Sequence, residues 1–220
     1  MVAHCGHSLA GEHAWTLTAT DVFTGWTLNV AIRNRAHKHV VAAIEQVAQA
    51  LPYPMVGLDW DNGGEFINHA LVGWCAQRTI FMTRARAHTS NDNAHVEQKN
   101  GDIVRRSAFR YRYDTQAELD LLNELWGFVN VRKNLFLPTK KTNGWRSTKA
   151  GRNTRTYDPP RTPYLRCLDS GTLTDQATKQ LQDLHDETNP ASLTRNINRI
   201  QQALIASAKD KTLAIRDHVS

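Results

Sequence analysis

Two short runs, AWTLTATDVF and WTLNVAI, flank a Thr-Gly turn signal and are dense in Thr, Val, Trp and Phe. Side chains that are β-branched or aromatic fit the pleated surface of a strand, so these runs predict two strands of a hairpin. The next fifty residues restrict the fold further. Between Arg35 and Leu51 the apolar residues Val40, Val41, Ile44, Val47 and Ala48 return at helical spacing. YPMVGLD is a short apolar run that suits a buried strand; Phe66, Ala70, Leu71 and Trp74 then mark a second amphipathic helix, and TIFMT a further strand. The order β-β-α-β-α-β predicts an α/β fold, a mixed sheet with helices packed against it.

The chain changes character at HTSNDNAHVEQKN, whose polar, Asn-rich opening reads as a loop in which Asn91 or Asp92 can cap a helix. That helix is expected to run toward Arg112, and another from Thr115 toward Asn134, with Leu119, Leu122, Leu125, Trp126 and Val129 along it. Residues 138–166 hold four prolines and eight basic residues, Lys140, Lys141, Arg146, Lys149, Arg152, Arg155, Arg161 and Arg166, against the acid Asp158. Such a stretch is expected to be extended or flexible, and its charge suits either a phosphate backbone or a solvated linker. Two helices close the chain, one with Leu173, Ala177, Leu181 and Leu184 on a face. The other starts at Asn189-Pro190 with Leu193, Ile197, Ile200 and Leu204 aligned, and an antiparallel helical hairpin is the expectation. The expected division is a core over 1–136, a basic Pro-containing linker over 137–170 and a helical hairpin over 171–220.

The net charge is +6, from 27 basic and 21 acidic residues, which favours a polyanionic partner such as nucleic acid. The cysteines Cys5, Cys75 and Cys167 are far apart and form no C-x-x-C pair, so neither a disulfide framework nor a zinc ribbon is indicated, and a reducing cytoplasm is the expectation. The N-terminus has no basic segment followed by an apolar one, and no apolar run reaches the roughly 18 residues that span a bilayer.

Asp61 follows the expected strand Met55–Leu58, at the end where open α/β sheets place ligand sites, and Asn62-Gly63 after it is a turn dipeptide in its own right. Glu97 begins the helix after the Asn-rich loop, with 35 residues between it and Asp61. Carboxylates on a strand end and a nearby helix can converge on a divalent ion. Mg²⁺ takes hard oxygen ligands, and paired ions clamp the attacking and leaving oxygens of an in-line phosphoryl displacement. DNGGEF, the spacing of 35, and NDNAHVEQKN together resemble the DDE integrase and transposase core, of ribonuclease H-like fold, and most closely the integrases of bacterial insertion sequences. The likeness extends through TLTATDVFTGW and covers about residues 1–135.

The resemblance implies a ribonuclease H-like mixed sheet with flanking helices. It implies a polynucleotidyl transferase for DNA integration or transposition, in which a metal-activated water or DNA 3′-hydroxyl attacks a phosphodiester. It further implies two Mg²⁺ or Mn²⁺ ions with Asp61 and Glu97 as catalytic metal ligands, no small-molecule cofactor, DNA as partner (element ends and target) and a homo-oligomer. Asn62, Gly63, Asn91, Asn93 and Asn100 would order the active-site loop, and Lys99, Arg105, Arg106, Arg110 and Arg112 would contact DNA, joined by Lys140 and Lys141 of the basic stretch; an exposed basic face is the plainer alternative.

One departure matters. The family's first catalytic Asp lies on the first strand, which here would end at MVAHCG and carries no acid. Two expectations stay open: an enzyme whose third carboxylate comes from sequence ahead of Met1, or an N-terminally truncated, inactive remnant that binds DNA or pairs with intact integrase. A ribonuclease H-like nuclease outside recombination fits the spacing less well. Asp21 sits at a second-strand position that the family does not use for metal. His4, Cys5 and His7 match no standard zinc site, and Asp59 and Glu65 read as structural.

Overall fold

In the computed structural model of the chain, a short strand β1 (Val2–Ala3) pairs antiparallel with β2 (Trp15–Thr20), and β2 pairs antiparallel with β3 (Thr27–Ile32). Residues 1–60, 69–84, 100–147 and 153–219 are described, with side chains over 1–60, 69–83, 103–147 and 153–211. Helix α1 (His37–Ala50) buries Val40, Ala43, Ile44 and Val47, and β4 (Gly57–Trp60), α2 (His69–Gln77) and β5 (Phe81–Arg84) come next, with β4 and β5 parallel. After β1 the order is the expected β-β-α-β-α-β of an α/β fold, and the described strands of this part form a three-stranded antiparallel sheet, β1-β2-β3, and a two-stranded parallel one, β4-β5.

The chain then enters a π-helical turn (Asn100–Arg105) that passes into the short helix α3 (Arg106–Ala108) and ends at Phe109, whose φ is 61°. Helix α4 (Gln116–Phe136) starts on a capping box: Thr115 Oγ1 accepts from the Glu118 N–H, and the Glu118 carboxylate accepts from the Thr115 N–H.

β3 is an edge strand, and every second residue turns an N–H and a C=O away from β2. Three asparagines of α4 take the place of the missing neighbour. Asn134 accepts from the Thr27 N–H at 2.8 Å and donates to its carbonyl at 2.8 Å; Asn130 does the same for Asn29 at 3.0 and 3.1 Å, and Asn123 for Ala31 at 2.9 and 3.1 Å. Each side-chain amide carries both a donor and an acceptor, so it matches the backbone amide it replaces. The edge is thereby closed, and α4 is fixed in register along it.

Residues 138–166, expected to be extended or flexible, are in part extended as paired strands and in part helical over their described residues. β6 (Thr142–Ser147) and β7 (Asn153–Tyr157) form an antiparallel ribbon, and α5 (Pro163–Leu168) buries Tyr164 and Cys167. Pro163 is at the first position of α5, after the Thr162 cap, where the missing N–H has no helical partner to lose.

The closing helices α6 (Asp175–Glu187) and α7 (Pro190–Val219) are present with the expected Asn189 cap, but their apolar faces do not zip together into a hairpin. Leu181 of α6 joins the core built on Leu17, Leu28, Ile44, Trp74, Tyr164 and Cys167. Ile197, Ile200 and Leu204 of α7 join the other core, with Val104, Tyr113, Leu122, Leu125 and Trp126, and α7 lies along α4.

The far end of α7 is pinned by charge. Glu118, only 1% exposed, accepts from the Thr115 and Asp114 N–H groups, from Ser207 Oγ at 2.8 Å and from Lys211 Nζ at 2.9 Å. Burial pushes the Glu118 carboxyl upward, but the Lys211 ammonium and these hydrogen bonds outweigh it and hold the group below its ordinary range.

Candidate functional site

The parallel pair β4–β5 aims at the position that the sequence marks as chemical. Gly57, Leu58, Asp59 and Trp60 pair with Phe81, Met82, Thr83 and Arg84, so β4 runs in register to the residue before Asp61. Asp59 is occupied within the sheet, where its Oδ1 accepts from Thr83 Oγ1 at 2.8 Å. Asp61, Asn62, Gly63, Asn91, Asn93, Glu97 and Lys99 lie outside the described residues, and Asn100 opens the π-helical turn with only its backbone described. Among the described residues no group of three or more His, Cys, Asp and Glu could hold a metal ion.

Asp21 is engaged elsewhere. Its Oδ2 accepts from the Thr24 N–H at 2.6 Å and from Thr24 Oγ1 at 2.5 Å, and the Thr24 hydroxyl meets the Tyr53 hydroxyl at 2.8 Å. The carboxylate closes the β2–β3 turn.

His4 is likewise part of the interior. It is buried, and its Nε2 lies 2.7 Å from Thr16 Oγ1, which also accepts from Trp126 Nε1 at 3.2 Å. Burial first, then the charges of His13 and Arg105, lower its pKa to about 4, so the ring is neutral at pH 7 and Nε2 can accept the Thr16 proton.

The basic residues divide into two kinds. Arg105, Arg106, Arg110 and Lys140 are exposed, the arginines on and just after the segment that succeeds the Asn-rich loop. Arg112 and Lys141 hold the chain to itself. Arg112 donates through Nη2 to the carbonyls of Ala10 and Glu12 at 2.8 Å, through Nη1 to Ser8 at 3.2 Å and Cys5 at 3.4 Å, and through Nε to Asp114 at 2.9 Å. One guanidinium thus gathers the whole loop after β1. Two glycines permit the approach: Gly6 (φ 62°) lies against the Arg112 backbone, and a Cβ on Gly11 (φ 74°) would stand 2.9 Å from Nη2. Lys141 Nζ donates to the carbonyls of Val22, at 2.7 Å, and Phe23.

The ribbon β6–β7 is hard to find in the sequence because prolines and charges dominate the local pattern. The available signal is β-prone Thr, Trp and Tyr interleaved with Arg in TNGWRS and NTRTY.

Residues 2–90 match the integrase core domain. A relative, the uncharacterized protein y4rM of Sinorhizobium fredii (strain NBRC 101917 / NGR234), is 39% identical over 166 residues, which is 75% of this chain and 47% of the relative. The chain therefore spans about half the length of the curated relative it matches. Among solved structures, the catalytic core domain of BIV integrase is 21% identical, with a TM-score of 0.46 over 73% of this chain and 92% of that one. The simian T-cell lymphotropic virus intasome bound to the PP2A regulatory subunit B56 gamma gives 14% identity and a TM-score of 0.43, covering 71% of each chain.

Proposed function

We propose that this chain, whose residues 2–90 match an integrase core domain, serves DNA integration or transposition of a mobile element by polynucleotidyl transfer. The match over residues 2–90 is the observation that carries this reading, and it includes the strand β4 that leads directly to Asp61. Asp61 and Glu97 offer hard oxygen donors of the kind Mg²⁺ and Mn²⁺ take. When bound there, such ions would activate the attacking hydroxyl and neutralise charge on the leaving oxygen. The chain's own contribution is positional: Asp61 directly follows β4 in sequence, and exposed Arg105, Arg106, Arg110 and Lys140 would offer cations to the phosphate backbone. Self-association on DNA belongs to the same proposal. Among the described residues no helix is long and apolar enough to cross a membrane.

A second reading rests on β1, which contains no carboxylate: a chain that binds DNA or pairs with an intact integrase without catalysing transfer. Joining of 3′-hydroxyl oligonucleotide duplexes to plasmid, in Mg²⁺ or Mn²⁺, separates the two when binding is measured alongside. The transferase reading expects metal-dependent joined products that disappear in Asp61→Asn and Glu97→Gln while DNA binding persists. Binding without products in the wild type selects the second reading. Absence of both overturns the assignment to DNA.

A further inference from the structure

We propose that the ribbon β6–β7 is a DNA-contacting arm that enters a groove of the duplex. Every described residue of its two strands is exposed or half-exposed, and Trp145 and Tyr157 are 64% and 52% exposed. A two-stranded ribbon without a buried face is marginal by itself, so the stability of this one comes from its base. There Thr139 and Arg161 exchange backbone hydrogen bonds at 2.9 and 3.2 Å. Asp158 accepts from the Lys141 N–H at 2.6 Å and from Arg166 Nη1 at 2.5 Å, and Arg166 Nη2 donates to the Thr139 carbonyl at 2.8 Å. The base is fixed to the body, and the strands stand clear of both cores.

The charge pattern selects the occupant. Residues 139–157 carry no acidic side chain and six basic ones, of which Lys141 is turned to the Val22 and Phe23 carbonyls. Trp145 lies opposite Arg155, with the guanidinium 5.3 Å from the ring centroid, and Arg146 lies opposite Thr154 on the other face. Cations on both faces suit a groove with a phosphate wall on each side; a membrane or a flat acidic protein surface would call for one charged face. The major groove, about 12 Å wide, admits a two-stranded ribbon, and the exposed indole offers an apolar surface to base edges. This inference rests on the DNA reading.

The test is equilibrium binding of a labelled random-sequence duplex to the full chain across a salt series, with melting curves and size-exclusion profiles for each variant. The double variant Arg146→Ala/Arg155→Ala is expected to melt like the wild type, bind about 10-fold more weakly and lose roughly two from the slope of log K against log salt. Trp145→Ala is expected to weaken binding several-fold at unchanged slope. Wild-type affinity and slope in both variants would overturn the arm while leaving the DNA reading intact. A changed oligomeric state with unchanged DNA affinity would also overturn it, by assigning the ribbon to a second copy of the chain. Failure of the wild type to bind the duplex would overturn the DNA reading itself, and the arm with it.

Discussion

Replacing Glu118 by alanine is expected to lower the unfolding free energy by about 3 kcal/mol, because it strips a buried carboxylate from the donors gathered around it. Lys211 would keep Asp114 at 2.9 Å but lose Glu118, and the Thr115 and Asp114 N–H groups and the Ser207 hydroxyl would lose their acceptor. Since Lys211 and Ser207 lie on α7 while Glu118 opens α4, the loss should loosen the end of α7 first. Urea unfolding gives the free energy, and amide exchange along α7 gives the location. Glu118→Gln retains an acceptor and should cost less. A double-mutant cycle of Glu118→Gln with Lys211→Met should show a coupling of about 1 kcal/mol or more, since residues in one ion-pair network are not additive. Additive costs would mean that the Glu118–Lys211 contact itself contributes nothing to stability.

Asn134→Leu is expected to cost about 2–4 kcal/mol, although leucine is of similar size and greater hydrophobicity. The reason is what remains behind: the N–H and C=O of Thr27 would be buried with no partner, each at about 1–3 kcal/mol. The ladder contains its own control. Asn134 is 1% exposed, Asn130 is half-buried and Asn123 is exposed, so water can replace the amide at Asn123 and not at Asn134. Leucine substitutions should therefore rank Asn134, then Asn130, then Asn123 in cost, read from urea midpoints. Equal costs would show that the amides act only through helix propensity.

Where periodicity is strong, the fold is legible from the residues. Val40, Ile44 and Val47 mark α1 because a single apolar stripe has one surface to cover, and β2 and β3 arise from β-branched runs on either side of a turn. Asn123, Asn130 and Asn134 carry the opposite lesson. In a helix they look like poor formers, and their purpose emerges only when β3 supplies unpaired backbone groups beside them. Arg112 is similar: a basic residue beside other arginines reads as a DNA contact, and only the close approach of residues 5–12, with Gly6 and Gly11 among them, makes it a loop anchor. The α6 and α7 faces are readable as apolar but not as to partner, since a stripe does not encode what covers it.

β4 and β5 are described up to Trp60 and Arg84, while the proposed pairing of Asp61 with Glu97 rests on motif and spacing. If those two carboxylates hold one divalent site, Asp59 should be dispensable to it, being a strand residue paired to Thr83. Mn²⁺ binding, followed by the loss of the free-ion electron paramagnetic resonance signal, separates the three positions in the wild type, Asp59→Asn, Asp61→Asn and Glu97→Gln. Binding is expected in the wild type and in Asp59→Asn, and its loss in both other variants. Undiminished binding in Asp61→Asn or Glu97→Gln, or its loss in Asp59→Asn alone, would contradict the shared site.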